Sequence, residues 1–232
     1  MNEISKNYKT LIFDCDGVIL ESNEIKSLAF FDSVKKFGLH KANALKNYHI
    51  QNGGISRQEK FSFFLKNIHP TSNYEKDLKM LTEDYGRIVF QHLLECNVNR
   101  DIFDLSEKVS GHKRLVISGG NEEELRSIFK LRKIDKFFAE GIYGNPLSKI
   151  EIFSKLLKNG VIQKPAIYIG DSKYDWEAAT QFGIDFLFYT PWTEFKLWKD
   201  FCVENEIYFF EHFSELGKYI SHTSNGFADS LN

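Results

Sequence analysis

Lys9-Thr-Leu-Ile-Phe-Asp-Cys-Asp-Gly-Val18 is the stretch on which the reading of the whole chain turns. Its first half, Lys9 to Phe13, is a short apolar run of the kind that forms a fully buried strand. The Asp16-Gly17 pair that follows is a turn signal. Beyond the turn the period changes. From about Asn23 to Phe37, Ile25, Leu28, Phe31 and Val34 recur at near-helical spacing, and Gly38 supplies a stop.

A second helix is expected after Gly53-Gly54, where Ser56-Arg57-Gln58-Glu59 makes a capping box ahead of Phe61, Phe64, Leu65 and Ile68. His69-Pro70 should end it, because proline cannot continue the hydrogen-bond ladder. A third long helix carries Leu78, Leu81, Tyr85, Ile88 and Leu93, so the stretch 20–97 reads as all-helical. After it strands and helices alternate. Arg114 to Ile117, Ala166 to Ile169 and Asp185 to Tyr189 read as strands, with a further short strand expected between Phe137 and Tyr143. Helices are expected from Asn121, which can cap Glu122-Glu-Glu124, from the capping box Ser148-Lys-Ile-Glu151 to Asn159, and from Tyr174 to Phe182. Strands that alternate with helices indicate a parallel sheet covered on both faces. The expected fold is therefore α/β: a Rossmann-like core of residues 1–19 and 98–220, interrupted after its first strand by a helical domain of residues 20–97. Residues 221–232 read as a polar tail.

Composition narrows the class. The 232 residues exceed the usual single-domain size of about 100–150, which suits a core with an insertion. A net charge of −2 provides no basic surface for nucleic acid. No apolar run approaches the ~18 residues of a membrane span, and the start MNEISKNYK lacks the apolar stretch of a signal peptide. Three widely spaced cysteines, Cys15, Cys96 and Cys202, fit reduced thiols better than a disulfide framework. These features predict a cytoplasmic protein, monomeric or homodimeric, with no nucleic-acid or membrane partner.

Polar groups follow three of the expected strands: Asp14 and Asp16, then Ser118, then Asp171. Open parallel sheets bind their ligands at the carboxyl ends of the strands, so these groups can converge on one crevice. Carboxylates crowded in this way repel one another unless a cation sits among them, and an all-oxygen, highly charged ligand set favours a hard ion such as Mg²⁺. The chemistry implied is phosphoryl transfer to or from a small phosphorylated molecule. Asp14 is then the candidate nucleophile and Asp16 the candidate general acid and base. Lys149, Ser118 and the backbone N–H of Gly119 are candidates to hold the phosphoryl oxygens. Asp14, Asp16 and Asp171 are candidate metal ligands. Asp175 either meets a metal-bound water or holds its neighbours in place, and Ser172-x-x-Asp175 also has capping-box spacing. Cys15 has no basic neighbour in sequence to activate it, and His40, His49, His69 and His92 show no metal-ligand spacing.

Taken together these residues resemble the motifs of the haloacid dehalogenase-like superfamily. Leu11-Ile-Phe-Asp-Cys-Asp-Gly-Val18 is similar to its first motif, Val116-Ile-Ser-Gly-Gly120 to its second, Lys149 to its third, and Gly170-Asp-Ser-Lys-Tyr-Asp175 to its fourth. The third departs from the common Lys-Pro pair, with Ile150 after the lysine, and Glu21-Ser22 replaces the usual Asp-Ser. The helical insertion resembles the cap of the phosphoglycolate phosphatase and β-phosphoglucomutase branch. That resemblance implies a cap that selects substrate, with Gly53, Gly54 and Arg57 in the position of a substrate-specificity loop. It implies a Mg²⁺-dependent phosphatase acting through an aspartyl-phosphate on a sugar, polyol or amino-alcohol phosphate, or a larger conjugate. The alternative is a phosphosugar mutase of the same family. Pro191 to Glu204, before a last strand at Ile207 to Phe210, reads as an addition to the common core.

Overall fold

The computed structural model of the protein describes residues 7–105, 109 and 111–220, so the expected tail lies outside the described residues. Six parallel strands form one sheet: β1 (Thr10–Phe13), β2 (Lys113–Asn121), β3 (Ile142–Asn145), β4 (Ala166–Gly170), β5 (Asp185–Tyr189) and β6 (Tyr208–Phe210), in the order β3-β2-β1-β4-β5-β6. Strand β1 is central, paired with β2 on one side and β4 on the other. The chain therefore moves outward one way through β2 and β3, returns, and moves outward the other way through β4, β5 and β6. The order reverses between β1 and β4, and such a reversal opens a crevice beyond the strands' carboxyl ends.

Alternate residues of the central strands feed opposite faces, as the pleat requires. Leu11, Phe13, Val116, Ile167 and Ile169 pack in one buried cluster with Ile128 and Phe129 of the helix that follows β2. Ile12, Leu115, Ile117 and Tyr168 pack in another with Phe153, Ala178 and Ala179 on the opposite face. Both faces of the sheet are thus covered, which is why the strands read as continuous apolar runs.

Between β1 and β2 stand α1 (Asn23–Val34), α2 (Leu39–Gln51), α3 (Arg57–Phe63), α4 (Tyr74–Glu95) and the short α5 (Asp101–Asp104). The helices α1 to α4 are the inserted cap, built around Phe30, Phe61, Phe64 and Tyr85, whose rings meet at centroid distances of 4.3–5.8 Å for the Phe30–Tyr85, Phe30–Phe61 and Phe61–Tyr85 pairs. Chain entry and exit lie side by side: Leu20 bridges Val98 in antiparallel fashion, and the Glu21 N–H donates to the Asn97 carbonyl at 3.0 Å.

Helix α2 lies in the stretch read as all-helical, but no separate helix is delimited from the sequence between Gly38 and Gly53. Its buried residues are only Ala42, Leu45 and His49, and Leu39 is exposed, so the apolar stripe is too sparse to mark a period. Gly38, at φ +112°, sharply redirects the chain between the α1 segment and α2. Helix α3 starts at its expected Ser56 capping box and continues as a π-helical turn through Ile68 before Pro70. The strand expected within Phe137–Tyr143 forms later, at Ile142–Asn145, because Asp135–Phe137 closes a 3₁₀ turn. The remaining helices, α6 (Glu122–Leu131), α7 (Lys149–Lys158), α8 (Lys173–Gln181) and α9 (Trp198–Glu204), start at the caps Asn121, Ser148 and Ser172 and, for α9, after Leu197. Among the described residues no helix is long and apolar enough to cross a membrane.

Candidate active site

Asp14 leaves the end of β1 and Asp171 the end of β4, the two strands that flank the reversal. The Asp14 N–H donates to the Ile169 carbonyl at 2.8 Å, which fixes the two strand ends against each other. Gly17, at φ +74°, turns the chain back over this point. A Cβ there would overlap the Asp171 carboxylate and the Asn23 amide, so only glycine lets the loop pass.

Behind Asp14 lies a buried ionic network. Lys149, first residue of α7 and 1% exposed, sits 3.0 Å from Asp14 Oδ1 and also pairs with Asp175 Oδ1. Asp175 is fully buried on α8. Its Oδ1 lies 2.8 Å from the Tyr168 hydroxyl, and its Oδ2 accepts from the Ser172 hydroxyl at 2.6 Å and backbone N–H at 3.2 Å. Both carboxylate oxygens are therefore engaged, and the capping-box reading of Ser172 and Asp175 holds together with the ionic one. Burial lowers the affinity of Lys149 for its proton, but Asp14 and Asp175 more than offset this and hold the amine charged well above its ordinary range.

The carboxylates suffer the opposite strain. Burial and then repulsion from Asp175 push Asp14 up to about 8, against the opposing pull of Lys149. Burial, Asp14 and Asp175 push Asp171 well above the usual carboxylate range. Asp14, Asp171 and Asp175 each offer an oxygen within 4.8 Å of the others, all buried. A compact, oxygen-only, over-charged donor set of this kind suits a hard divalent cation. Asn23 Nδ2 donates to Asp171 Oδ2 at 2.7 Å and the Thr193 hydroxyl to the Asp171 carbonyl at 2.6 Å, so residue 171 is held from both sides.

Asp16 stands apart from that cluster. The sequence reading grouped it with the metal ligands, but its carboxylate turns toward α1, accepting from the Ser22 hydroxyl at 2.6 Å and from Lys26 Nζ at 2.5 Å. Burial raises its affinity for a proton, yet Lys26 and Ser22 outweigh burial and hold it below the usual range. Ser118 is completely buried near the end of β2, and its Oγ accepts from the Gly120 N–H at 3.0 Å. Gly119 has the Gly54 carbonyl of the cap directly against it, where any Cβ would overlap that oxygen. Cys15 is fully buried, and burial pushes its thiol well up, the reverse of an activated nucleophile.

A cavity of about 310 Å³ lies between cap and core, with Asp14, Asp16, Gly119 and Asp171 on the core side. On the cap side Gly53 packs near Ser172 and Gly54 near Tyr174, so the glycine pair lets the α2–α3 loop approach the core closely. Arg57 reaches across the gap. It pairs in two-pronged fashion with Glu124 of α6, one prong being Nη1 to Oε1 at 3.1 Å, and lies 5.2 Å from the centre of the Tyr85 ring. Lys26, Lys60, His49, Tyr85 and Glu194 also line the cavity and were not singled out from sequence. Lysines on helices read as solvated until tertiary structure turns them inward.

A predicted phosphatase from Clostridium acetobutylicum superposes with a TM-score of 0.70 at 19% identity, spanning 92% of this chain and 98% of that one. A predicted phosphoglycolate phosphatase from Haemophilus somnus 129pt gives 0.69 at 17%, spanning 92% and 98%. CbbY from Rhodobacter sphaeroides, solved in complex with phosphate, gives 0.61 at 16%, spanning 80% and 88%. At these identities the likeness is one of fold. No curated protein matches the sequence. The sequence profile of the haloacid dehalogenase-like hydrolases matches residues 11–189, more than half of the chain, and the protein belongs to that family.

Proposed function

We propose that the protein is a Mg²⁺-dependent phosphatase that hydrolyses a small phosphomonoester through an aspartyl-phosphate on Asp14. The observation that carries this reading is the buried set of Asp14, Lys149, Asp171 and Asp175 at the point where the strand order reverses. Asp14 and Asp171 would hold Mg²⁺, which when bound offsets the repulsion between the Asp14 carboxylate and an anionic phosphoryl group. Both Asp175 oxygens already accept hydrogen bonds, so Asp175 holds Lys149 and stands behind the metal site rather than supplying its main ligand.

The chain's own groups supply the rest. An Asp14 oxygen attacks phosphorus while the bond to the leaving oxygen breaks, and Asp16 donates its proton to that oxygen. Asp16 then takes a proton from the water that attacks the aspartyl-phosphate, which releases phosphate and restores Asp14. The pull of Lys26 and Ser22 favours the charged, proton-accepting form of Asp16 and opposes its donor half, for which the anionic substrate beside it must first raise its affinity for a proton. Lys149, the Ser118 hydroxyl and the Gly119 N–H serve the phosphoryl oxygens. A cavity of about 310 Å³ matches the lower end of small-molecule sites and suits a sugar, polyol or amino-alcohol phosphate. In this reading residues 1–19 and 98–220 are the catalytic unit and 20–97 the cap.

The test is phosphate release from a panel of phosphorylated metabolites, with and without Mg²⁺, beside Asp14→Asn. Release that needs Mg²⁺ and vanishes in the variant supports the reading. Release that survives in Asp14→Asn overturns it.

A further inference from the structure

Three cations face the cavity from the cap, and their pairing differs. Lys26 is bound to Asp16, and Arg57 is bound to Glu124. Lys60, on α3 and 3% exposed, has no carboxylate within ion-pairing distance among the described residues. Its Nζ lies 2.7 Å from His49 Nδ1 and 5.4 Å from the centre of the Phe30 ring. The Phe30 ring in turn lies 4.6 Å from the His49 ring, so lysine, imidazole and phenyl form one wall of the cavity. Burial and then the charge of Lys60 keep His49 neutral, and facing an ammonium the ring takes the tautomer in which Nδ1 accepts and Nε2 carries the proton. A buried ammonium with one neutral acceptor is under-satisfied, and such sites are stabilised by an anion that arrives later. The group carries the mark of that deficit: burial and then Lys26, together outweighing Asp16 and Glu59, bring its amine down to about 7. Lys60 lines the same cavity as Asp14, Asp16 and Asp171.

We propose that Lys60, backed by His49, is a specificity-determining residue that binds a second anionic group on the substrate, distal to the phosphoryl group that is cleaved. The proposal rests on the phosphatase reading of the same cavity and narrows it. Substrates are two-headed anions, with a carboxylate or a second phosphoryl group at the far end, and neutral polyol phosphates are poor ligands. A distal anion would complete the coordination of a cation that has no carboxylate partner among the described residues, and ion-paired hydrogen bonds are the strong ones.

Binding is measured by calorimetry on Asp14→Asn protein in Mg²⁺, with pairs of probes that differ only at the distal end. The carboxylate arm is 3-phosphoglycerate against glycerol 3-phosphate, and the phosphate arm is ribose 1,5-bisphosphate against ribose 5-phosphate. In one arm or both the two-headed probe should bind roughly 10-fold tighter or more. Lys60→Met should collapse that ratio toward one, and Lys60→Arg should keep part of it. The arm that responds says which anion the site takes. Equal binding within both pairs overturns the proposal, as does a ratio that survives in Lys60→Met. Loss of turnover on every substrate with the binding ratio intact would sink the phosphatase reading and leave the anion site standing.

Discussion

Replacing Gly86 by alanine sets two effects of similar size against each other. Gly86 is buried in the middle of α4, where glycine costs about 1 kcal/mol relative to alanine. An added Cβ would stand 2.6 Å from Arg57 Nη1 and 3.0 Å from Glu124 Oε1, so it would occupy the space in which the cap–core ion pair forms. The atoms it meets are the ends of flexible side chains. They can move aside, but only by breaking the two-pronged contact. With Glu124 30% exposed, that contact is worth about 1 kcal/mol. Gly86→Ala alone should therefore change stability by less than about 1 kcal/mol, a near-cancellation rather than a neutral site. A double-mutant cycle separates the terms. Glu124→Ala removes the pair and frees the Arg57 guanidinium, the nearer obstacle, to swing aside, so in that background Gly86→Ala should stabilise by about 1 kcal/mol. Urea unfolding of the four proteins gives the coupling energy, expected at about 1 kcal/mol. A gain of that size in both backgrounds would show that the gap and the ion pair are unrelated. A loss above about 2 kcal/mol in both would place the constraint in helix packing instead.

Other outcomes follow from the site. Mg²⁺ should raise the melting temperature of the wild type and do so much less in Asp171→Asn, since a ligand stabilises only the state that binds it; equal shifts in a thermal scan would exclude Asp171 from the metal site. Lys149→Met strips Asp14 and Asp175 of their shared buried cation and should cost about 3–5 kcal/mol in urea unfolding; a loss under 1 kcal/mol would mean the network is not held by charge. Lys60 has a folded value near 7 against 10.5 for the free side chain, so the folded state holds fewer protons between those limits. Its penalty is complete below pH 7 and fades as pH rises toward 10. The stabilisation of Lys60→Met over wild type should accordingly be largest near pH 6.5 and shrink by pH 9.5, with Lys26, Asp16, Lys149, His49 and Glu59 unchanged around it. A difference that stays constant with pH would contradict it.

Much of the floor of the candidate site was legible because strand ends are legible. Four apolar residues followed by Asp14, and another apolar run followed by Gly170-Asp171, state both the strand and the acid that leaves it. Lys149 announced itself through the Ser148 capping box, which fixes where its helix begins. The cavity wall was not legible, because its pairings join residues far apart in sequence. Arg57 could be read as a substrate grip only until Glu124, 67 residues away, was seen to hold it. Asp16 looked like a metal ligand by its spacing from Asp14, and the turn toward Lys26 depends on where α1 docks. His49 and Lys60 lie on helices whose buried positions are few, one of them on the helix that the sparse pattern hid.

The adjacency of Leu20 and Val98 has a meaning for how such a chain is put together. Seen from the sheet, everything between them begins and ends at hydrogen-bonded neighbours, so the insertion closes like a hairpin turn of unusual size. Closing a loop costs only about 0.6 kcal/mol more for each doubling of its length. The core therefore bears little thermodynamic burden from what it carries, and helices can be lengthened, exchanged or rebuilt between those two residues while β1 and β2 remain in register.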